Sequence, residues 1–80
     1  MNDIKELEKE RKMLIDKLKE IDKFIKENTN QDERGIFPKD KDKLLLNELD
    51  LIFSQADTIN HYLGILDKRL ELLHLKEKIQ

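Results

Sequence analysis

An all-α fold, a long antiparallel two-helix hairpin that self-associates into a helical bundle or coiled-coil oligomer, is predicted by three observations. From Leu45 the residues Leu45, Leu49, Ile52, Ala56, Ile59, Leu63, Leu66, Leu70 and Leu73 alternate steps of four and three, the heptad seam of a packed helix. A second column recurs at every seventh residue beside it: Leu44, Leu51, Thr58, Ile65, Leu72 and Ile79. Two glycines and one proline leave little to interrupt helices. The first seam suits the chain's own N-terminal helix, so the second needs a further partner.

Composition narrows the function classes. Eighty residues make one small domain, near the size at which a lone core stabilises a fold only marginally. Without cysteine there are no disulfides and no thiolate metal sites. Charged residues make up 42% of the chain, yet the apolar residues recur in register, which favours folding over disorder. A net charge of -2 gives no general affinity for nucleic acid or anionic membrane. No apolar run approaches a membrane span, and Met1-Asn2-Asp3 opens no secretory signal, so a soluble intracellular protein is expected.

The first helix is expected over about residues 3–27, with Asp3 and Glu6 as an N-terminal capping box. Its seam is Ile4, Leu7, Arg11, Leu14, Leu18, Ile21 and Ile25, widened by Met13, Ile15 and Phe24. Glu8–Lys12, Asp16–Glu20 and Asp22–Lys26 stand at four-residue spacing on a mixed, solvated face. Arg11 interrupts the seam and must pair or snorkel, since burying it alone costs several kcal/mol. It either sets register against Asp57 or Asn60 across the hairpin, or points inward to await an anion inside an oligomer.

Residues 28–39 read as a connecting loop, polar from Asn28 to Gly35 and then Ile36-Phe37-Pro38. Pro38 disfavours helix at Phe37, and Asp40 is the expected cap of the second helix. The loop is long for a helix–helix connection. Ile36 and Phe37 fold back to plug the open end of the hairpin, or else Arg34, Lys39, Lys41 and Lys43 serve a ligand or partner.

The second helix is expected over about residues 40–79, with Gly64 as its one weak point. At about 1.5 Å per residue it outreaches the first helix by a dozen or so residues. A simple chain reversal then leaves Leu70, Leu72, Leu73, Leu75 and Ile79 overhanging, unless a long loop shifts one helix along the other. With Leu44, Leu51 and Ile65 they form the candidate oligomer interface, since so much apolar surface is not left in water. A second copy of the chain is the simplest cover.

Between the two apolar columns runs a polar strip, Glu48, Gln55, Tyr62, Arg69 and Lys76. If both neighbouring columns are buried, the strip lines the cleft where the interfaces meet. Tyr62 offers a flat ring and a hydroxyl, Gln55 an amide, Arg69 and Lys76 cationic donors. Gln55, Tyr62, Arg69 and Lys76, with Arg11 and Arg34, are therefore candidate ligand-binding residues for a small aromatic anion such as a nucleotide. Glu48 opposes an anion nearby. Long polar side chains also edge ordinary coiled-coil interfaces, and both readings stand. His61 and His74, thirteen residues apart, make no helical metal pair. No grouping of nucleophile, base and oxyanion donors is present, so neither an enzyme nor a resident cofactor or metal is expected.

The run Glu10-Arg11-Lys12-Met13-Leu14-Ile15-Asp16-Lys17-Leu18-Lys19-Glu20-Ile21-Asp22-Lys23-Phe24-Ile25 carries a resemblance, as do Leu44-Leu45-Leu46-Asn47-Glu48-Leu49, Gln55-Ala56 and the closing Tyr62-Leu63-Gly64-Ile65-Leu66-Asp67-Lys68-Arg69-Leu70. From about Leu7 to Leu75 the chain resembles a family of small, mostly uncharacterised helical-hairpin proteins of tailed phages, first named from a crAss-like phage of gut bacteria. The family usually has a shorter link, and often a basic residue where this chain has His61. The resemblance implies a phage gene expressed in the host cytoplasm, and brings no established activity. Small phage proteins outside the virion often blunt host defences. Three functions follow as expectations: an oligomeric sponge that sequesters a cyclic-nucleotide-type immune signal, an anti-CRISPR-like inhibitor that binds a host defence protein, or a structural coiled-coil adaptor.

Overall fold

The computed structural model describes residues 4–40 and 42–79, so the expected cap at Asp3 and the cation at Lys41 lie outside the described residues. Helix α1 (Ile4–Asn28) leads into strands β1 (Thr29–Asp32) and β2 (Gly35–Pro38), and helix α2 (Lys43–Ile79) completes the order. The two long helices are as the periodicity requires. The connection is not the irregular loop expected over 28–39, and the fold is to that extent not purely α: it is an antiparallel β-hairpin with Thr29 opposite Pro38 and Asp32 opposite Gly35.

Local chemistry explains the hairpin. Asp32 stands first and Gly35 fourth in the turn Asp32-Glu33-Arg34-Gly35, the positions those residues favour in a type I turn. The Asp32 carboxylate accepts the Arg34 backbone N–H at 2.7 Å and pairs with its guanidinium at 3.0 Å. The guanidinium bond and then the backbone bond hold the Asp32 carboxyl below its usual range. Gly35 has φ +134°, open to glycine and rare for residues with a Cβ. The ladder runs one bond further, with the Lys39 N–H donating to the Asn28 carbonyl at 2.9 Å. That bond satisfies a helix-terminal acceptor of α1, as does the Thr29 hydroxyl on the Ile25 carbonyl at 2.6 Å.

Because the chain is still in the hairpin at Lys39, α2 starts later than expected. Its cap is Asp42, not Asp40: the Asp42 carboxylate accepts the Leu44 N–H at 3.0 Å, while Asp40 accepts the Asp42 N–H at 3.2 Å. Ile36 and Phe37 do not plug the open end. Both stay more than two-fifths exposed, and the Phe37 ring lies 5.7 Å beneath the Arg34 guanidinium.

The core is a single seam. Leu7 and Ile21 of α1 meet Leu49, Ile59 and Leu66 of α2, and the other members of the α2 seam are half-buried. In α1 the Leu7, Leu14 and Ile21 column carries the contact, and the column of Ile4, Arg11, Leu18 and Ile25 flanks it. That places Arg11 at an edge. Of the residues expected to widen the stripe, Ile15 and Phe24 are half-buried, whereas Met13 is 64% exposed.

Two cross-helix bonds fix the register: Arg11 Nε to Asp67 at 2.7 Å and Tyr62 hydroxyl to Glu10 at 2.5 Å. Arg11 therefore pairs with Asp67, not with Asp57 or Asn60. About two turns out from that pair, Ile4 falls level with His74. The overhang is consequently shared between the two ends of α2. Leu70 and Leu73 are half-buried, so only the residues from about Leu75 outlie the described part of α1. At the other end the first turns of α2 outlie the end of α1, because the four-residue strands carry the chain about 13 Å before it turns. Of the extents, 57 × 26 × 15 Å, the longest matches one α2 length and the shortest is little more than one helix thickness. A second layer is absent from the described chain, and the far face of α2 is open.

Candidate functional site: the polar strip and open column of α2

The second column lies on that open face. Leu44 is 76% exposed, Leu51 71%, Ile65 45%, Leu72 61% and Ile79 85%, with Thr58 exposed among them. These side chains line one side of α2 over about 52 Å, from the 1.5 Å rise per residue. Leu75, 48% exposed, adds to it near the C-terminal end.

The polar strip runs between this column and the α1 contact. Tyr62 marks its position, because its hydroxyl reaches across to Glu10 on α1. That bond, then desolvation and the charge of Glu10, raise the Tyr62 hydroxyl above its ordinary value, and Arg69 pulls the other way. Arg69 is half-buried, and Gln55, Glu48 and Lys76 are exposed. Arg69 and Lys76 line an open groove of ≈ 460 Å³ together with Leu72, Leu73, Leu75 and Ile79. An apolar lining with two cations in it suits an amphiphilic anion, a flat or greasy body carrying a phosphate.

The candidate residues do not all converge. Gln55 and Lys76 lie about 31 Å apart along the helix at 1.5 Å per residue, too far to hold one small ligand within a single chain. Arg11 is engaged by Asp67 and borders a separate groove of ≈ 430 Å³ with Glu8, Lys12, Ile15 and Leu70. Arg34 sits at the tip of the β-hairpin, near the opposite end of the molecule, paired with Asp32. Sequence reasoning missed Glu10 and Asp67, the two partners that fasten the strip and Arg11. Their signal was spacing: Glu10 and Arg11 are adjacent on α1 and reach the two flanks of α2, at Tyr62 and Asp67.

Among the described residues no cluster of His, Asp and Glu is arranged to hold a metal, and no helix is long and apolar enough to cross a membrane. No family model matches the sequence, and no curated protein or solved structure matches it either. The likeness to the phage hairpin family accordingly rests on the residues quoted for it above.

Proposed function

We propose that this protein is a non-enzymatic, phage-encoded inhibitor of bacterial antiviral defence, acting in the host cytoplasm as an oligomeric sponge for a nucleotide-derived immune signal of the cyclic nucleotide type. One observation carries the reading: Arg69 and Lys76 share one open groove with Leu72, Leu73, Leu75 and Ile79, and that groove continues into the uncovered column of α2. Cationic donors beside apolar side chains supply phosphate pairing and base packing together. The phage resemblance supplies the setting. Calorimetry against a panel of cyclic oligonucleotides and cyclic ADP-ribose tests it. Binding of one signal, its recovery intact after denaturation, and loss of the heat in Arg69→Ala are expected. No binding across the panel contradicts the reading.

A second reading is favoured by the same open column. Leu44, Leu51, Ile65, Leu72 and Ile79, interrupted only by Thr58, form a ridge of the sort that fills a groove on another protein. An inhibitor of a host defence complex would then be recovered with one bacterial protein, and Leu72→Asp would abolish capture. A variant changed only in its own association state removes the motive for this alternative.

A further inference from the structure

We infer that α2 docks on α2 of a second copy of this chain in antiparallel orientation, about a two-fold axis that passes beside Tyr62, and that this pairing completes the polar strip. The inference rests on the sponge reading and narrows its site: the partner covers the Leu72 and Ile79 side of the groove and leaves the polar strip as the ligand's place, and the geometry can be tested with no ligand at all.

The open column spans Leu44 to Ile79 at seven-residue steps, so its midpoint falls between His61 and Tyr62. Full antiparallel overlap sets Leu44 against Ile79 of the partner subunit, Leu51 against Leu72 of the partner subunit, and Thr58 against Ile65 of the partner subunit. A two-fold interface requires this reciprocity. In an antiparallel pair the same flank of each helix lies on one side of the contact, so strip meets strip. Glu48 then meets Lys76 of the partner subunit, Gln55 meets Arg69 of the partner subunit, and the two Tyr62 rings meet at the axis. Opposite charges and an amide–guanidinium pair result, while the helix dipoles oppose favourably.

The parallel alternative fails on the same charges. There each strip faces the other flank of the partner helix, the column Asn47, Ser54, His61, Lys68 and Leu75. Arg69 would confront Lys68 of the partner subunit, and Glu48 would find no cation. The side-chain chemistry therefore selects the antiparallel pair.

The consequence for the site is geometric. One chain strings its strip from Glu48 to Lys76 over about 42 Å at 1.5 Å per residue, but antiparallel pairing brings Gln55 level with Arg69 of the partner subunit, with Tyr62 about 10.5 Å along the axis. Because α1 packs on the far side of the strip, as the Tyr62–Glu10 bond shows, both strips face one trough between the two α1 helices. A ligand needing an amide, a flat ring and a guanidinium meets all three only in the dimer.

Disulfide trapping tests the arrangement, since the full chain has no cysteine of its own. Leu51→Cys and Leu72→Cys alter exposed side chains, and circular dichroism confirms that each variant folds. On oxidation of the mixture, the heterologous disulfide should exceed either self-disulfide several-fold. Sedimentation supplies a second readout: Glu48→Lys should weaken association several-fold, and Glu48→Lys combined with Lys76→Glu should restore it. A dominant Leu51→Cys self-disulfide, the absence of any cross-link, or no rescue by the charge swap overturns the inference. If the trapped dimer forms but binds neither the cyclic oligonucleotides nor cyclic ADP-ribose in calorimetry, the interface stands and the sponge reading falls.

Discussion

The Tyr62 hydroxyl of α2 donates its proton to the Glu10 carboxylate of α1 at 2.5 Å, and the next residue, Arg11, reaches the opposite flank of α2 at Asp67. Two consecutive residues thus straddle one helix. With a single buried seam to fix the register, these edge contacts say how far α1 is slid along α2. They also fix which side of the polar strip α1 occupies.

Tyr62 is the only tyrosine and there is no tryptophan, so its ionisation can be followed cleanly by ultraviolet absorbance. The bond to Glu10 raises its folded value, and the midpoint should lie above the ordinary value of about 10. Glu10→Gln should lower it. A raised folded value means that the contribution to stability is complete below the ordinary tyrosine range and is lost as pH rises through the folded value. A midpoint unchanged by Glu10→Gln would show that the bond does not persist in solution.

The Arg11–Asp67 pair is about half exposed on both sides, so solvent screens it. A double-mutant cycle with Arg11→Ala and Asp67→Ala, read by urea unfolding, should give a coupling of no more than about 1 kcal/mol. A much larger coupling would mean that the pair is enclosed in the assembled protein.

Leu66 is fully buried, whereas Leu72, six residues on, faces out. Leu66→Ala should cost about 2–5 kcal/mol, enough to threaten a domain this small. Leu72→Ala should leave the helix content of the dilute chain nearly unchanged and lower its self-association. Equal thermal destabilisation by both variants at low concentration would contradict the assigned faces.

The turns of the connection make a third contrast. Gly35→Ala should cost about 1–3 kcal/mol, through backbone strain alone, because an added Cβ meets no atom within 4 Å. Asp42→Ala removes the α2 cap and should cost about 0.5–2 kcal/mol, with Asp40→Ala costing less. Chemical denaturation of the three variants ranks them directly.

What could be read in the sequence, and what could not, follows from the strength of each signal. The α2 seam from Leu45 to Leu73 and the open column from Leu44 to Ile79 are long and strictly periodic, and each falls on the face its spacing requires. Thr29-Asn30-Gln31-Asp32 has no apolar alternation to announce a strand. Only the Asp32 and Gly35 positions of the turn carried information, and the polar run around them masked it. The shared overhang followed from that omission, since the hairpin is what displaces the helices. Arg11 reads as a seam residue because steps of three and four tolerate it there, but contact centred on Leu7, Leu14 and Ile21 leaves it at the rim. The strip residues all lie on α2 at seven-residue spacing. Their convergence depends on how chains pair, which one sequence encodes only through complementary charges such as Glu48 and Lys76.

Sedimentation equilibrium of the intact chain beside Leu72→Asp, at micromolar concentration, tests most directly whether the open column of α2 is a self-association surface. The native chain should sediment as a dimer or larger assembly, and the variant as a helical monomer. A native chain that is folded, stable and monomeric under those conditions would contradict self-association and, with it, the composite strip.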